Sequence, residues 1–414
     1  MTALKPIVLG YSGGLDTTYC AIYLREKGFE PVCVTVDVGQ GINENLLRAN
    51  SQAAGIKDLR IVDGREDFAN FFIAPAILAN ALYQGVYPLA TALSRPLISK
   101  VMVDVARDIG TNDYAHGCTG KGNDQVRMEL AIRSLAPGAE IQAPIRECNL
   151  SRDEEIVFLE KRGIRLGITR EKPYSVDQNI WGRSVCAGVL ENAEIEPPEE
   201  VFEWTASIAE CPEKGELVEL VFEKGLPKSI NGVEYGLLGL IEELNKIGGR
   251  NGVGRIDHIE DRLVGIKSRE LYEAPAALLI VQAHQALEAL TLTKSSLRFK
   301  KQVETEYAEL SYLGTWFSSH HFDLVSYLKH NQRNVSGKVA LRLCKGSARI
   351  AGRSAVGALY DKNMATYSSA STFDQRLAGG FSQLIGNESQ IAARNQVLRF
   401  EDESRVLLQL PEEK

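Results

Sequence analysis

The sequence predicts an α/β protein: an N-terminal, mostly parallel sheet with helices on both faces, then an α+β part. Three observations carry this. Short apolar runs alternate with amphipathic helical patterns through the first third of the chain. Two glycine-rich turns each follow one of those runs, at Ser12–Thr17 and at Gly117–Gly122. After Ile168 the alternation stops and hairpin and helix patterns are mixed.

The elements follow in order. "PIVLGY" reads as a buried strand and Asp16 to Lys27 as a helix. "PVCVTVDVG" is a second strand, "NENLLRANSQAAG" a helix, and "LRIVDG" a third strand. Apolar helical patterns cover Asp67 to Tyr83 and Leu97 to Ile109. "YAHG" is a short strand, "NDQVRMELAIRSLAP" a helix ending at Pro137, and "EIQAPI" one more strand. Ser151 with Glu154 forms a capping box ahead of "EEIVFLEKRG". Beyond it "EKPYSVDQNIWGRS" reads as irregular and "IEPPEE" as a surface crossing. "GELVELVFEKGLPKSINGV" reads as a hairpin with an Asn-Gly turn. Helices are expected at Leu237–Ile247, Ala277–Leu290, Gln302–Phe317 and Phe322–Lys329, with a second hairpin over "KVALRLCKGSARIAGR".

At 414 residues the chain is too long for one core. A formal charge of −7 argues against a nucleic-acid partner, which would favour a basic stripe. Seven scattered cysteines without a Cys-x-x-Cys suit reduced thiols better than disulfides or a zinc site. There is no charged-then-apolar leader, and no apolar run approaches a membrane span. The expectation is a cytoplasmic protein with no membrane partner and no protein-held metal.

A glycine turn between a strand and a helix presents unpaired N–H groups at the positive end of the helix, which suits phosphate. "SGGLDTT" lacks the Gly-Lys-Ser/Thr of a Walker A loop and the G-x-G-x-x-G of a dinucleotide fold. The second turn, "AHGCTGKGNDQVRMEL", places three glycines within six residues before Asn123, Asp124 and Arg127. Asn123 and Arg127, four apart, share a helix face. N–H groups with Thr119 suit a carboxylate and Asp124 suits an ammonium group, so an amino acid would satisfy both. Lys121 is either a further cation there or a solvated surface residue.

"SGGLDT" after a first strand resembles the pyrophosphate loop of the N-type ATP pyrophosphatases, whose fold is adenine nucleotide α-hydrolase-like. That loop is also used by tRNA-thiolating enzymes, which would want a persulfide-carrying cysteine pair and a basic face. A binding protein without catalysis is a second rival. "HGCTGKGNDQVRMEL", "LYQGVYPLATALSRPLI", "KPYSVDQNIWGRS" and "GVGRIDHIEDRLVGIKSRELYEAPAA" are similar, in order, to segments of the argininosuccinate synthases. The likeness runs from about residue 6 to beyond 370.

That resemblance implies Mg-ATP as co-substrate, citrulline and aspartate as substrates, a citrullyl-adenylate intermediate, and release of AMP and pyrophosphate. It implies that Gly10, Tyr11, Ser12, Gly13, Gly14, Leu15, Asp16, Thr17 and Thr18 hold the ATP phosphates, with Val36 and Gly117 at the nucleoside. Thr119, Asn123 and Asp124 would hold aspartate. Tyr87, Asn123, Arg127, Ser175, Ser184, Glu260 and Tyr272 would hold citrulline. Ser12, Asp16 and Asp124 are the expected catalytic residues, acting by positioning and charge stabilisation. The implied division is a nucleotide-binding domain over 1–170, a synthetase domain over 171–363, and a C-terminal arm with an acidic tail over 364–414. The arm would build a homotetramer. Four positions depart from the family pattern. Ala92 stands where Ser is frequent, so one citrulline contact would be either missing or shifted to Thr91 or Ser94. Cys186 replaces a usual Glu, Asp261 a usual Asn, and Glu270 a common Gly.

Overall fold

The structure is a computed structural model that describes residues 4–164, 166 and 174–397. Strands β1 (Lys5–Gly10), β2 (Phe29–Asp37), β3 (Asp58–Asp63), β4 (Asp113–Ala115) and β5 (Glu140–Gln142) form a sheet of order β3-β2-β1-β4-β5. All its pairings are parallel. The strands are buried on both faces: Val8 of β1 packs into one apolar core, while its neighbours Ile7 and Leu9 pack into another. The helix Leu15–Glu26 belongs to the second core and Ala90–Ile109 to the first. Strand order reverses between β1 and β4, and both glycine turns leave the carboxyl ends of these two strands. That is the crevice where open α/β sheets bind ligands.

Two antiparallel sheets follow. β6 (Ser175–Asn179) and β7 (Gly182–Cys186) form a hairpin. β8 (Glu216–Glu223), β9 (Leu226–Ile230) and β10 (Val233–Glu234) come next, then β11 (Arg255–Asp261), β12 (Lys267–Glu273), β13 (Gly337–Cys344) and β14 (Ser347–Ser354). The sheet orders are β11-β12-β7-β6 and β10-β9-β8-β13-β14.

The expected strands of the first sheet, the helix Leu237–Arg250 and the β13–β14 hairpin are present. Several details differ. The segment read as irregular up to Ser184 holds the β6–β7 hairpin: β6 lies at a sheet edge and carries no apolar alternation. Asn231–Gly232 turns only into the two-residue β10, whereas Lys224–Gly225 makes the β8–β9 turn, both residues at positive φ. The helix expected over 67–83 ends at Leu78, and its first part is a π-helix over Phe68–Ile73. The next helix starts at Ala90 and contains Pro96 instead of beginning after it. The helix expected to end at Phe317 ends at Leu313, where Gly314 adopts φ 90°. The boundary expected at 170/171 and the acidic tail lie outside the described residues.

The chain divides into two compact units, Met1–Leu359 and Tyr360–Lys414. In the second, the helix Arg376–Ala392 buries none of its residues, and Leu377, Phe381, Leu384 and Ile385 are exposed. Among the described residues, no helix is long and apolar enough to cross a membrane.

Candidate functional site

The first glycine turn is built from local geometry. Gly13 has φ 76°, and a Cβ there would lie 2.5 Å from Leu47 Cδ1. The left-handed backbone favours glycine, and any side chain there would also have to displace Leu47. Gly14 precedes the helix Leu15–Glu26 and offers no side-chain cap, so the first-turn N–H groups stay available. Ser12 Oγ accepts from Gly14 N at 3.3 Å and lies 3.1 Å from Thr17 Oγ1, which draws the turn closed. Thr18 points away: its hydroxyl is buried, 3.2 Å from that of Tyr11.

The second turn packs directly on the first. A Cβ on Gly117 would stand 3.1 Å from Thr17 Cγ2 and 3.4 Å from Asp16 backbone. Gln125 holds this turn by donating to the carbonyls of Gly120 (2.6 Å) and Gly122 (3.2 Å), and is itself fixed by Arg146. A cavity of about 770 Å³ opens over both turns. Gly10 through Thr17 line it, with Val36, Gly117 and Ser175, so most of the expected ATP residues share one space. Thr119 and Lys121 are exposed, and Arg262 donates to the Lys121 carbonyl at 3.1 Å.

Arg95 lines the same cavity, and the sequence reasoning overlooked it. One of its nitrogens bonds Asp124 at 2.8 Å and also Asp177 of β6. Burial opposes charge on Asp124, but Arg95 and then Arg127 outweigh it and hold the carboxyl below its usual range. Asp177 goes the other way: burial dominates over the attraction of Arg95 and raises it. Glu155 is buried against the first turn; burial, and next the Asp16 carboxylate, push it up to about 8.

A second group of expected residues meets in a buried polar layer beside the cavity. Tyr272 stacks on Tyr87, ring centroids 4.2 Å apart, and its hydroxyl bonds Glu260. Asn123 donates to Glu260 at 3.4 Å and to the Tyr312 hydroxyl at 2.8 Å. Burial raises Glu260 despite the two phenols. Arg127 pairs with Asp124 at 2.9 Å, and its Nη2 is buried without a partner among the described residues. Ser184 donates to the Asp177 carbonyl at 3.2 Å, which ties β7 to the Arg95 bridge.

Of the departures, Ala92 is fully buried, and Ser94 is committed to the Thr91 carbonyl at 2.9 Å. Glu270 pairs with Arg262 at 2.6 Å. Burial, then Glu270, push the Cys186 thiol up to about 12, which favours its protonated form. All seven cysteines are free.

A parallel sheet with two adjoining glycine turns at its switch point, over a cavity lined by Asp and Arg side chains, defines the class: a nucleotide-binding α/β protein. Residues 6–165 match the model of the arginosuccinate synthase N-terminal HUP domain, and residues 174–392 that of the arginosuccinate synthase C-terminal domain. The argininosuccinate synthase of Rubrobacter xylanophilus is 53% identical over 92% of this chain and 93% of its own. That of Dictyoglomus turgidum is 49% identical over 94% and 98%, and that of Pyrococcus furiosus 50% over 93% and 94%. The chain belongs to the argininosuccinate synthase family.

Proposed function

We propose that this chain joins L-citrulline to L-aspartate with ATP, giving argininosuccinate, AMP and pyrophosphate, as a step of arginine biosynthesis in the cytoplasm. The observation that carries the reading is the direct packing of two glycine turns at the β1/β4 switch point, with the buried Asn123–Arg127–Glu260–Tyr272 layer beside them. In the first step the ureido oxygen of citrulline attacks the α-phosphorus, and the bond to pyrophosphate breaks. In the second the amino nitrogen of aspartate attacks the ureido carbon, and the bond to AMP oxygen breaks.

Gly10 to Thr17 hold the phosphates through N–H groups and the Ser12 and Thr17 hydroxyls, with Asp16 at the first turn of the helix. Thr18 supports that loop through Tyr11. Val36 and Gly117 border the nucleoside. The unpartnered Arg127 Nη2 suits the α-carboxylate of citrulline, with Glu260 for its ammonium group and Tyr87, Tyr272, Ser175, Ser184 and Asn123 completing the site. Asp124 takes the aspartate ammonium group, and Thr119 and Asn123 its carboxylates. Rate then comes from alignment and from donors fixed around the α-phosphate.

Among the described residues no cluster of three or more His, Cys, Asp or Glu could hold a metal ion. Magnesium would come with the nucleotide as Mg-ATP. Such an ion would screen phosphate charge.

The domain division 1–170, 171–363 and 364–414 belongs to the same reading, as does a homotetramer in which the apolar face of Arg376–Ala392 packs on a neighbouring copy. Pyrophosphate release from Mg-ATP, with citrulline and aspartate omitted in turn, tests the function. Release is expected to require citrulline, and argininosuccinate to form only when aspartate is added. Release without citrulline, or none at all, would reject the assignment.

A further inference from the structure

The helix Lys294–Leu313 ends against the amino-acid layer, and its last turn carries a residue that no substrate assignment includes. Tyr312 is fully buried. Its hydroxyl donates to Glu260 Oε1 at 2.5 Å and accepts from Asn123 Nδ2 at 2.8 Å. Its backbone carbonyl accepts from Arg127 Nε at 2.8 Å. The Arg127 guanidinium also lies over its ring, 4.6 Å from the centroid. The ring is clamped in turn by stacking on Tyr83 and by an edge contact to Tyr87. Three side chains from two other elements therefore take their positions from one residue.

The neighbouring backbone makes this approach possible. Gly314 ends the helix at φ 90°, and a Cβ there would sit 2.6 Å from Arg127 Cα and 2.9 Å from its Cβ. Any side chain would push the two helices apart at Arg127. The carbonyl that Arg127 meets lies at the negative end of a 20-residue helix, which favours a guanidinium there. Arg127 thus has Nε on Tyr312, Nη1 on Asp124, and Nη2 left for a ligand.

We propose that Tyr312, with Gly314 behind it, is a positioning residue for the amino-acid end of citrulline: it fixes Arg127, Asn123 and Glu260 in the geometry that receives an α-carboxylate and an α-ammonium group. This rests on the proposed citrulline site. Tyr312 does not touch the reacting atoms, so its loss weakens binding of citrulline and spares the nucleotide.

The test is citrulline-dependent exchange of labelled pyrophosphate into ATP, with aspartate omitted, in the full-length protein. Tyr312→Phe keeps the ring and removes the hydroxyl shared by a buried carboxylate and an amide. It is expected to raise KM for citrulline about tenfold or more, with KM for ATP and the saturated exchange rate within about threefold of the parent. Gly314→Ala, which removes no polar group, is expected to raise the same KM by displacing Arg127, and it decides the matter should Tyr312→Phe not fold. An unchanged citrulline KM, or equal losses for citrulline and ATP, overturns the proposal. If the unsubstituted protein exchanges pyrophosphate without citrulline, the underlying assignment fails instead, and the two failures are distinct.

Discussion

Arg95 Nη2 lies 2.8 Å from Asp124 Oδ2, and the same nitrogen also bonds Asp177. One guanidinium thus ties the helix after the second glycine turn to the β6–β7 hairpin. Arg95 is mostly buried, so removing it leaves two carboxylates facing each other with only Arg127 to compensate. Breaking one partner of such a pair costs on the order of 3 kcal/mol. Arg95→Gln is therefore expected to lower kcat/KM for aspartate about a hundredfold, with Arg95→Lys intermediate. Steady-state kinetics with aspartate varied measures this; an unchanged kcat/KM would remove Arg95 from the site.

The first turn offers a contrast between adjacent glycines. Gly13 is left-handed and a methyl there meets Leu47 at 2.5 Å, whereas Gly14 sits at φ −80° with its nearest neighbour at 3.3 Å. Forcing a side chain into the left-handed region costs roughly 1–3 kcal/mol before the clash is counted. Gly13→Ala is expected to raise KM for ATP by tenfold or more, and Gly14→Ala by much less. Equal effects would show that backbone conformation is not what the turn needs.

Glu155 makes a pH prediction. Its folded-state pKa is raised from 4.5 to about 8, first by burial and then by Asp16. Between those values the folded state binds more protons than the unfolded one, so this group's contribution to stability falls as pH rises through the window. Glu155→Gln is uncharged throughout. The Tm of the variant relative to the parent is therefore expected to climb from pH 5 to pH 8. A difference that is flat or falls over that range would contradict the shift.

The exposed face of Arg376–Ala392 predicts an assembly. Phe381 and Leu384 are 66% and 75% exposed in the single chain, an unusual state for two large apolar side chains on one helix. Phe381→Glu with Leu384→Glu is expected to lower the mass measured by light scattering from that of a tetramer to a smaller species. A parent protein already monomeric would reject the homotetramer.

The nucleotide half was legible because its determinants are local. "SGGLDT" and "GCTGKG" state a backbone conformation directly, through the absence of Cβ atoms, and apolar runs buried on both faces announce a parallel sheet. Asn123 and Arg127 were legible through helical spacing. Arg95 was not, although its segment was recognised, because the helical pattern was read only from Leu97 onward, whereas the helix starts at Ala90 and runs through Pro96. Proline in a helix costs about 3 kcal/mol, and here the helix Ala90–Ile109 tolerates it within a buried packing environment. The β6–β7 hairpin escaped for a different reason: an edge strand with exposed Ser175 and Val176 carries no alternating pattern to read.

By itself the sequence determined the family, the two glycine turns and most of the residues that surround them, since each of these is written in short spans where spacing and side-chain loss set the backbone. Tertiary structure alone decided which groups support them. Tyr312 meets Asn123 from 189 residues further along the chain, and Arg95 meets Asp177 from 82. No local periodicity encodes such contacts, because they arise only when separate helices and strands pack and a buried polar atom must find a partner wherever the fold has brought one.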